Sequence, residues 1–470
     1  MLFSSITFIF GFMPLMLAVY YLVPEKMKNL VLLIGSILFY AWGEPVYVVL
    51  MILSIVFNFF AGQDIEDKLE EPRKAKKSLI FAVVINILIL CFFKYYAFVM
   101  ENINALLQIQ IPYRVLALPV GISFYTFQAV SYLADIYMGR VSAQKNFIKF
   151  GVYMAMFPKV IMGPIVRYEM IEDQLDKRTI TWNRFGHGVM HFVCGLAKKV
   201  ILADNIAVVY DQVAALQPGT FSALTAWVGC IAFAFQIYFD FSGYSDMAVG
   251  LAKMVGFDLE KNFHYPYISR SITEFWKRWH ISLSSWFRDY IYILLGGNRC
   301  GKQRHMLNLM IVWILTGCWH GSEWNFIAWG LYYGVILILE KYVYGEWLED
   351  AVPAVRHALT LVIILIGWVF FFSPDMGYAF EYISTMFVFG ATAVADAQSL
   401  FLIGTNWILL ILCFIGSTAL GLNLLHIATN TYKNRNIRTV ITCVVYIGIF
   451  LISIAFLVTG EARDFLYFRF

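Results

Sequence analysis

Apolar stretches of about twenty residues or more recur from one end of the chain to the other, and that recurrence narrows the fold more than any motif. A helix needs roughly 20 such residues to cross the hydrocarbon of a bilayer. The stretches, bounded by charged residues or Pro/Gly breaks, fall near 1–22, 29–61 (broken at Gly43-Glu44-Pro45), 79–99, 113–133, 147–165, 186–206, 222–240, 308–340, 357–373, 377–393, 406–427 and 438–459. They predict an all-α, polytopic membrane protein of about 11 transmembrane helices with short interfacial or re-entrant helices between them. Runs that are continuous rather than alternating exclude a membrane β-barrel. No soluble domain fits between the stretches, so residues 1–470 are expected to form a single membrane-embedded domain.

Charge agrees with this solvent. Of 470 residues 60% are apolar and 14% charged, whereas a soluble domain carries about 25% charged residues to dress its surface. A soluble enzyme, a disordered chain and a disulfide scaffold are thereby excluded. The net charge of +4 is too mild for a nucleic-acid partner. The seven cysteines are odd in number and scattered without a C-x-x-C, so neither a disulfide framework nor a zinc ribbon is written here. The opening run Met1–Val23 lacks a basic start and a small-residue cleavage site, and is expected to be a retained membrane helix.

Two polar stretches interrupt the pattern. Residues 63–78 (QDIEDKLEEPRKAKKS) hold five acidic and five basic side chains and are expected to be a solvated loop. Residues 252–307 hold nine Lys/Arg against four Asp/Glu, which predicts a cytoplasmic polar face. Within them Ile272, Phe275, Trp276, Trp279, Leu283, Trp286, Phe287 and Tyr290 recur at helical spacing, predicting one amphipathic helix with His280 on the seam between its faces.

An ionisable group inside an apolar span is costly and is a functional candidate by default. His320 is the clearest case, set in Ile311–Gly321 (IVWILTGCWHG) with Gly317 and Gly321 beside it to permit a helix break or close approach by a substrate. Held neutral, its imidazole is suited to act as a general base. Asp240 and Asp246, in FDFSGYSD, carry hydroxyls between them and are expected chiefly to cap a following helix. His187 and His191 have the spacing of a zinc helix but lack the Glu at 188 that H-E-x-x-H requires, and no metal is expected.

Taken together, Phe239–Gly250 (FDFSGYSDMAVG), Asn262–Tyr290 (NFHYPYISRSITEFWKRWHISLSSWFRDY), Gly296–Arg299 (GGNR), Trp319-His320-Gly321, Gly163–Arg167 (GPIVR) and Phe39–Trp42 (FYAW) resemble the membrane-bound O-acyltransferase family. Within it the chain is most similar to the alginate O-acetyltransferase branch, related to the D-alanyl transfer protein of teichoic acids. The resemblance runs over nearly the whole chain. It implies a ring of membrane helices around a thin central funnel in the cytoplasmic membrane of a bacterium. It also implies an essential histidine at His320 and a second polar residue at His280. An acyl group would pass from a cytoplasmic thioester, acetyl-CoA or an acyl carrier protein, to a polysaccharide hydroxyl, directly or through an extracytoplasmic acetyltransferase. Ser322-Glu323-Trp324 departs from the branch pattern and adds a carboxylate near His320.

Chemically, His320 is the expected base, His280 would orient it or donate to the carbonyl, and Lys277, Arg278 and Arg288 would meet the donor's phosphate. The residues by themselves also admit a transporter using His and Asp as a proton relay, or a scaffold for other envelope enzymes. Alginate, cellulose, peptidoglycan and teichoic acid are all acceptors that the motifs allow.

Overall fold

The computed structural model describes residues 2–421, 423, 434–460 and 463–466, and among them every regular element is helical. Among the described residues, seven helices are long and apolar enough to cross a membrane: Val48–Asp67, Pro72–Leu107, Ala223–Met254, Trp324–Asp350, Pro353–Phe372, Ala397–Gly416 and Asn436–Thr459. Other expected stretches form shorter helices, such as Thr7–Leu22, Ile122–Tyr137 and Phe147–Ala155, so about 11 exceeds the long spans seen. Of the stretch expected at 406–427, residues 422 and 424–427 lie outside the described residues. The chain forms two compact units, one of residues up to Phe192 with Ser245–Lys261, the other of Val193–Tyr244 and the described residues from Asn262 onward.

In the first unit, the break expected at Gly43-Glu44-Pro45 separates Lys28–Gly43 from Val48–Asp67. The charged stretch 63–78 is only in part a loop: it spans the end of one helix and the start of Pro72–Leu107. These two long helices are tied by reciprocal amide bonds, Asn58 Nδ2 to Asn86 Oδ1 at 3.1 Å and Asn86 Nδ2 to Asn58 Oδ1 at 2.8 Å. Ile122–Tyr137 is the most enclosed helix here, buried continuously from Ile122 to Leu133.

The second unit holds the tightest helix pair, Lys302–His320 and Trp324–Leu339, joined by a three-residue turn. Glycines let the two backbones touch: a methyl group on Gly317 would strike the carbonyl oxygen of Phe326, and one on Gly330 that of Trp313. Small residues at such a crossing are how membrane helices gain dispersion contact without help from the hydrophobic effect. The close approach foreseen at Gly317 is thus made by a neighbouring helix. Asp396 closes the other end of the unit. It caps Ala397–Gly416 by accepting from Ser399 N–H at 2.7 Å, and takes the Thr225 hydroxyl at 2.8 Å and Ser222 N–H at 3.0 Å.

Because His320 ends the first helix of the glycine-packed pair, spacing there controls its position. Gly330→Ala is expected to cost about 1–3 kcal/mol, the usual range for overpacking, while a methyl group at Gly404, which meets nothing within 4 Å, leaves the melting point near that of the wild type. Thermal unfolding of both variants in detergent checks this.

Candidate functional site

The stripe from Ile272 to Tyr290 is buried at all eight positions, as its spacing predicts, but it does not lie on one helix. The structure holds two seven-residue helices, Ile272–Arg278 and Ile281–Phe287, separated at Trp279–His280. His280 takes the left-handed conformation, φ 44°, at a cost of about 1–3 kcal/mol for a residue other than glycine. The neighbouring segment 262–264 replaces the lost helical bonds: Ile281 N–H donates to Asn262 O at 2.9 Å, and His264 N–H to Arg278 O at 2.9 Å. Tertiary bonding thus overrides a local helical pattern that sequence periodicity could not distinguish from a continuous rod.

Capping fixes the first short helix. Ser271 accepts from Glu274 N–H at 3.0 Å. The buried carboxylate of Glu340 accepts from Ile272 N–H at 2.7 Å and Thr273 N–H at 2.9 Å. These are the N–H groups that a helix start leaves without intrahelical partners, and the negative charge suits that end.

Asn262 then sets the chemistry of His280. Its Oδ1 accepts from Ser282 N–H at 3.1 Å and the Ser282 hydroxyl at 3.0 Å, and lies 3.2 Å from His280 Nδ1. A backbone N–H can only donate, so the oxygen assignment of Asn262 is fixed, and Nδ1 must carry the proton. His280 Nε2 is therefore the lone-pair nitrogen. Burial pushes this imidazole down to about 3, and it stays neutral at physiological pH.

His320, buried, is the last residue of Lys302–His320, and aromatic rings surround it. Trp319 and Trp329 have ring centroids at 5.0 Å and Phe371 at 5.4 Å. Trp319 is also 5.8 Å from the ring of His280, so one indole lies against both imidazoles. Both histidines line a cavity of about 170 Å³. A second cavity of about 20 Å³ also reaches His320. The indole Nε1–H of Trp329, a residue 1% exposed, has no acceptor among the described residues.

The expected donor contacts separate. Arg288 lines the larger cavity and pairs with Asp289 at 2.7 Å. Arg278 is occupied by Glu274 at 2.9 Å and by the His264 carbonyl at 3.1 Å. Lys277 is exposed, and neither residue lines a cavity that reaches the histidines. Glu323 is likewise exposed and outside both cavities.

Asp240 and Asp246 do not cap a helix, because both lie within the continuous helix Ala223–Met254. Asp240 instead forms a buried ion pair with Lys199 at 2.7 Å, and Lys199 also meets Asp204 at 2.8 Å. The other oxygen of Asp240 accepts from Leu466 N–H at 2.7 Å. Lys199 went unnoticed in the sequence although it sits in the apolar stretch 186–206, where the argument that singles out His320 applies equally. Asn262 heads a recognised motif, but its role depends on a fold-made contact 18 residues away. No group of three or more His, Cys, Asp or Glu side chains suited to a metal occurs among the described residues.

Breaking one side of a buried ion pair costs more than the pair contributes. Lys199→Met is expected to destabilise the protein by about 3–5 kcal/mol, whereas Lys199→Met with Asp240→Asn recovers part of that loss; detergent melting curves of both variants test it. Asn262→Leu, which frees the Nδ1 proton of His280, is expected to lower turnover with a smaller effect on melting.

Comparison with known proteins bears on this geometry. The chain is 41% identical over 440 residues to the probable alginate O-acetylase AlgI of Pseudomonas syringae pv. tomato, covering 93% of this chain and 83% of the relative. It is 33% identical to the peptidoglycan O-acetyltransferase of Helicobacter pylori, covering 82% of this chain and 80% of the relative. The teichoic acid D-alanyltransferase of Streptococcus thermophilus is 31% identical over 47% of this chain and 56% of the relative. The family model of the membrane-bound O-acyltransferases matches residues 139–373, a span that takes in Lys199, Asp240, His280 and His320. With its long apolar helices and two buried imidazoles on one cavity, the chain is a multi-pass membrane acyltransferase and belongs to the membrane-bound O-acyltransferase family.

Proposed function

We propose that the chain works as one membrane-embedded domain that O-acetylates a cell-envelope polysaccharide, with alginate or a similar exopolysaccharide as acceptor. The observation that carries this is the shared cavity of His280 and His320, in a chain 41% identical to a probable alginate O-acetylase over 93% of its length. His320 Nε2 or Nδ1 takes the proton of the acceptor hydroxyl, whose oxygen attacks the thioester carbonyl. The tetrahedral intermediate collapses to the new ester, and the thiolate leaves with the proton that His320 returns.

The oxyanion of that intermediate needs a donor. His280, with its proton on Nδ1 toward Asn262, presents Nε2 as an acceptor and suits orienting a hydroxyl better than donating to the carbonyl. The donor role passes in this scheme to Trp329 Nε1–H, beside His320. Arg288, at the edge of the larger cavity, is the side chain placed to meet a donor phosphate, whether of acetyl-CoA or of an acyl carrier protein.

The basic excess of 252–307 favours a cytoplasmic mouth in the inner membrane of a bacterium. Transfer outside proceeds directly or through an extracytoplasmic acetyltransferase. The D-alanyl alternative matches only half the chain.

His320→Ala is expected to abolish ester-linked acetyl on surface polymer, read by mass spectrometry, at unchanged membrane abundance; retained acetylation would overturn the assignment. Trp329→Phe keeps the ring and removes only the N–H. It is expected to lower kcat about 10–1,000-fold, as loss of an oxyanion donor does, with KM near the wild-type value.

A further inference from the structure

The small cavity beside His320 is lined in part by a residue that the chemistry above leaves unused. Its apolar wall is formed by Ile237, Phe241, Trp368 and Phe371, and Leu466 completes it. Leu466 belongs to the short segment 463–466, whose place in this unit is fixed by polar contacts. Arg463 pairs with Asp211 at 2.5 Å, Lys199 Nζ donates to Asp464 O at 3.4 Å, and Asp240 accepts from Leu466 N–H at 2.7 Å. Asp240 is the one carboxylate in the wall, and Lys199 and that N–H already occupy its two oxygens.

Size and polarity restrict what this chamber can take. A water-sized probe needs about 10–15 Å³, so roughly 20 Å³ admits a group the size of a methyl and excludes a sugar ring. Apolar walls also disfavour an ammonium, which would be buried without a counter-charge because Asp240 is committed. The chamber opens on His320, where a thioester carbonyl must stand to be attacked.

We propose that this chamber receives the methyl end of the transferred acyl group, and that Leu466 sets its length at two carbons. The inference rests on His320 acting on a thioester, as argued above. It adds Leu466 as a specificity determinant, and gives the Lys199–Asp240 pair a positioning task, holding that side chain in the chamber wall. Acetyl fits; butyryl meets the side chain of Leu466, and D-alanyl brings an unpaired charge.

The test uses full-length protein in proteoliposomes, with acetyl- or butyryl-pantetheine as donor and surface polymer from a strain lacking the chain as acceptor. Pantetheine thioesters carry the part common to coenzyme A and acyl carrier protein. Released thiol and polymer-bound acyl are measured together. Wild type should strongly prefer acetyl, and Leu466→Ala should shift the butyryl-to-acetyl ratio by about 10–100-fold, the usual reach of a methylene-sized change in an apolar pocket. Ile237→Ala, on another wall, should shift it the same way and serves if Leu466→Ala does not fold. Leu466→Phe should block acetyl. Ratios unchanged in all three variants, with His320→Ala inactive, would overturn the chamber and leave the role of His320 standing. Equal turnover in wild type and His320→Ala would overturn both.

Discussion

A bilayer offers no water to a polar group, and this constraint orders the second unit of the protein. Departures from regular helix near His280 are matched by specific replacement bonds. The break at Trp279–His280 is tolerable because Asn262 and His264 supply the missing backbone partners, and the start of Ile272–Arg278 because Glu340 accepts two of its N–H groups. Lys199 is tolerable because Asp240 and Asp204 flank it. A buried network of this kind fixes geometry as a consequence of satisfying its members.

That fixity reaches the chemistry. Asn262 mends the helix break with its backbone oxygen and selects the tautomer of His280 with its side-chain oxygen, so one residue serves both. His320 gains its position differently, from the end of a helix locked by glycine contact to the next. One imidazole is held by hydrogen bonds and the other by close packing, and Trp319 touches both. Moving either support would change the spacing between two imidazoles that line one cavity.

The sequence made one level of this legible. Solvent, helicity and the buried stripe follow from local composition and period, which is why all eight stripe residues are buried. The same period predicts a rod where two helices stand, because the break is decided by bonds to residues 262–264. Lys277 and Arg278 read as donor contacts on charge alone; the fold leaves Lys277 exposed and gives Arg278 to Glu274 and His264, while Arg288 reaches the cavity. Asp240 reads as a cap because Ser and Asp favour helix starts, yet it meets its cation 41 residues away. A lysine in an apolar stretch is itself a signal, and Lys199 follows from the logic that selects His320.

Two cavities of unequal size meet at His320. For the transfer proposed above, the arginine-edged cavity suits a large polar carrier on one side of the carbonyl, and the smaller apolar one a short tail on the other. Walls of Trp and Phe favour this division, since large rigid rings fill volume with few rotamers and keep a small cavity small. Aliphatic side chains could seal the same space, but their rotamer changes would let longer tails in, and none offers an N–H. Indoles next to the imidazole therefore combine a fixed boundary with an N–H, and the aromatic stripe that reads in sequence as an interfacial helix becomes part of a cavity wall.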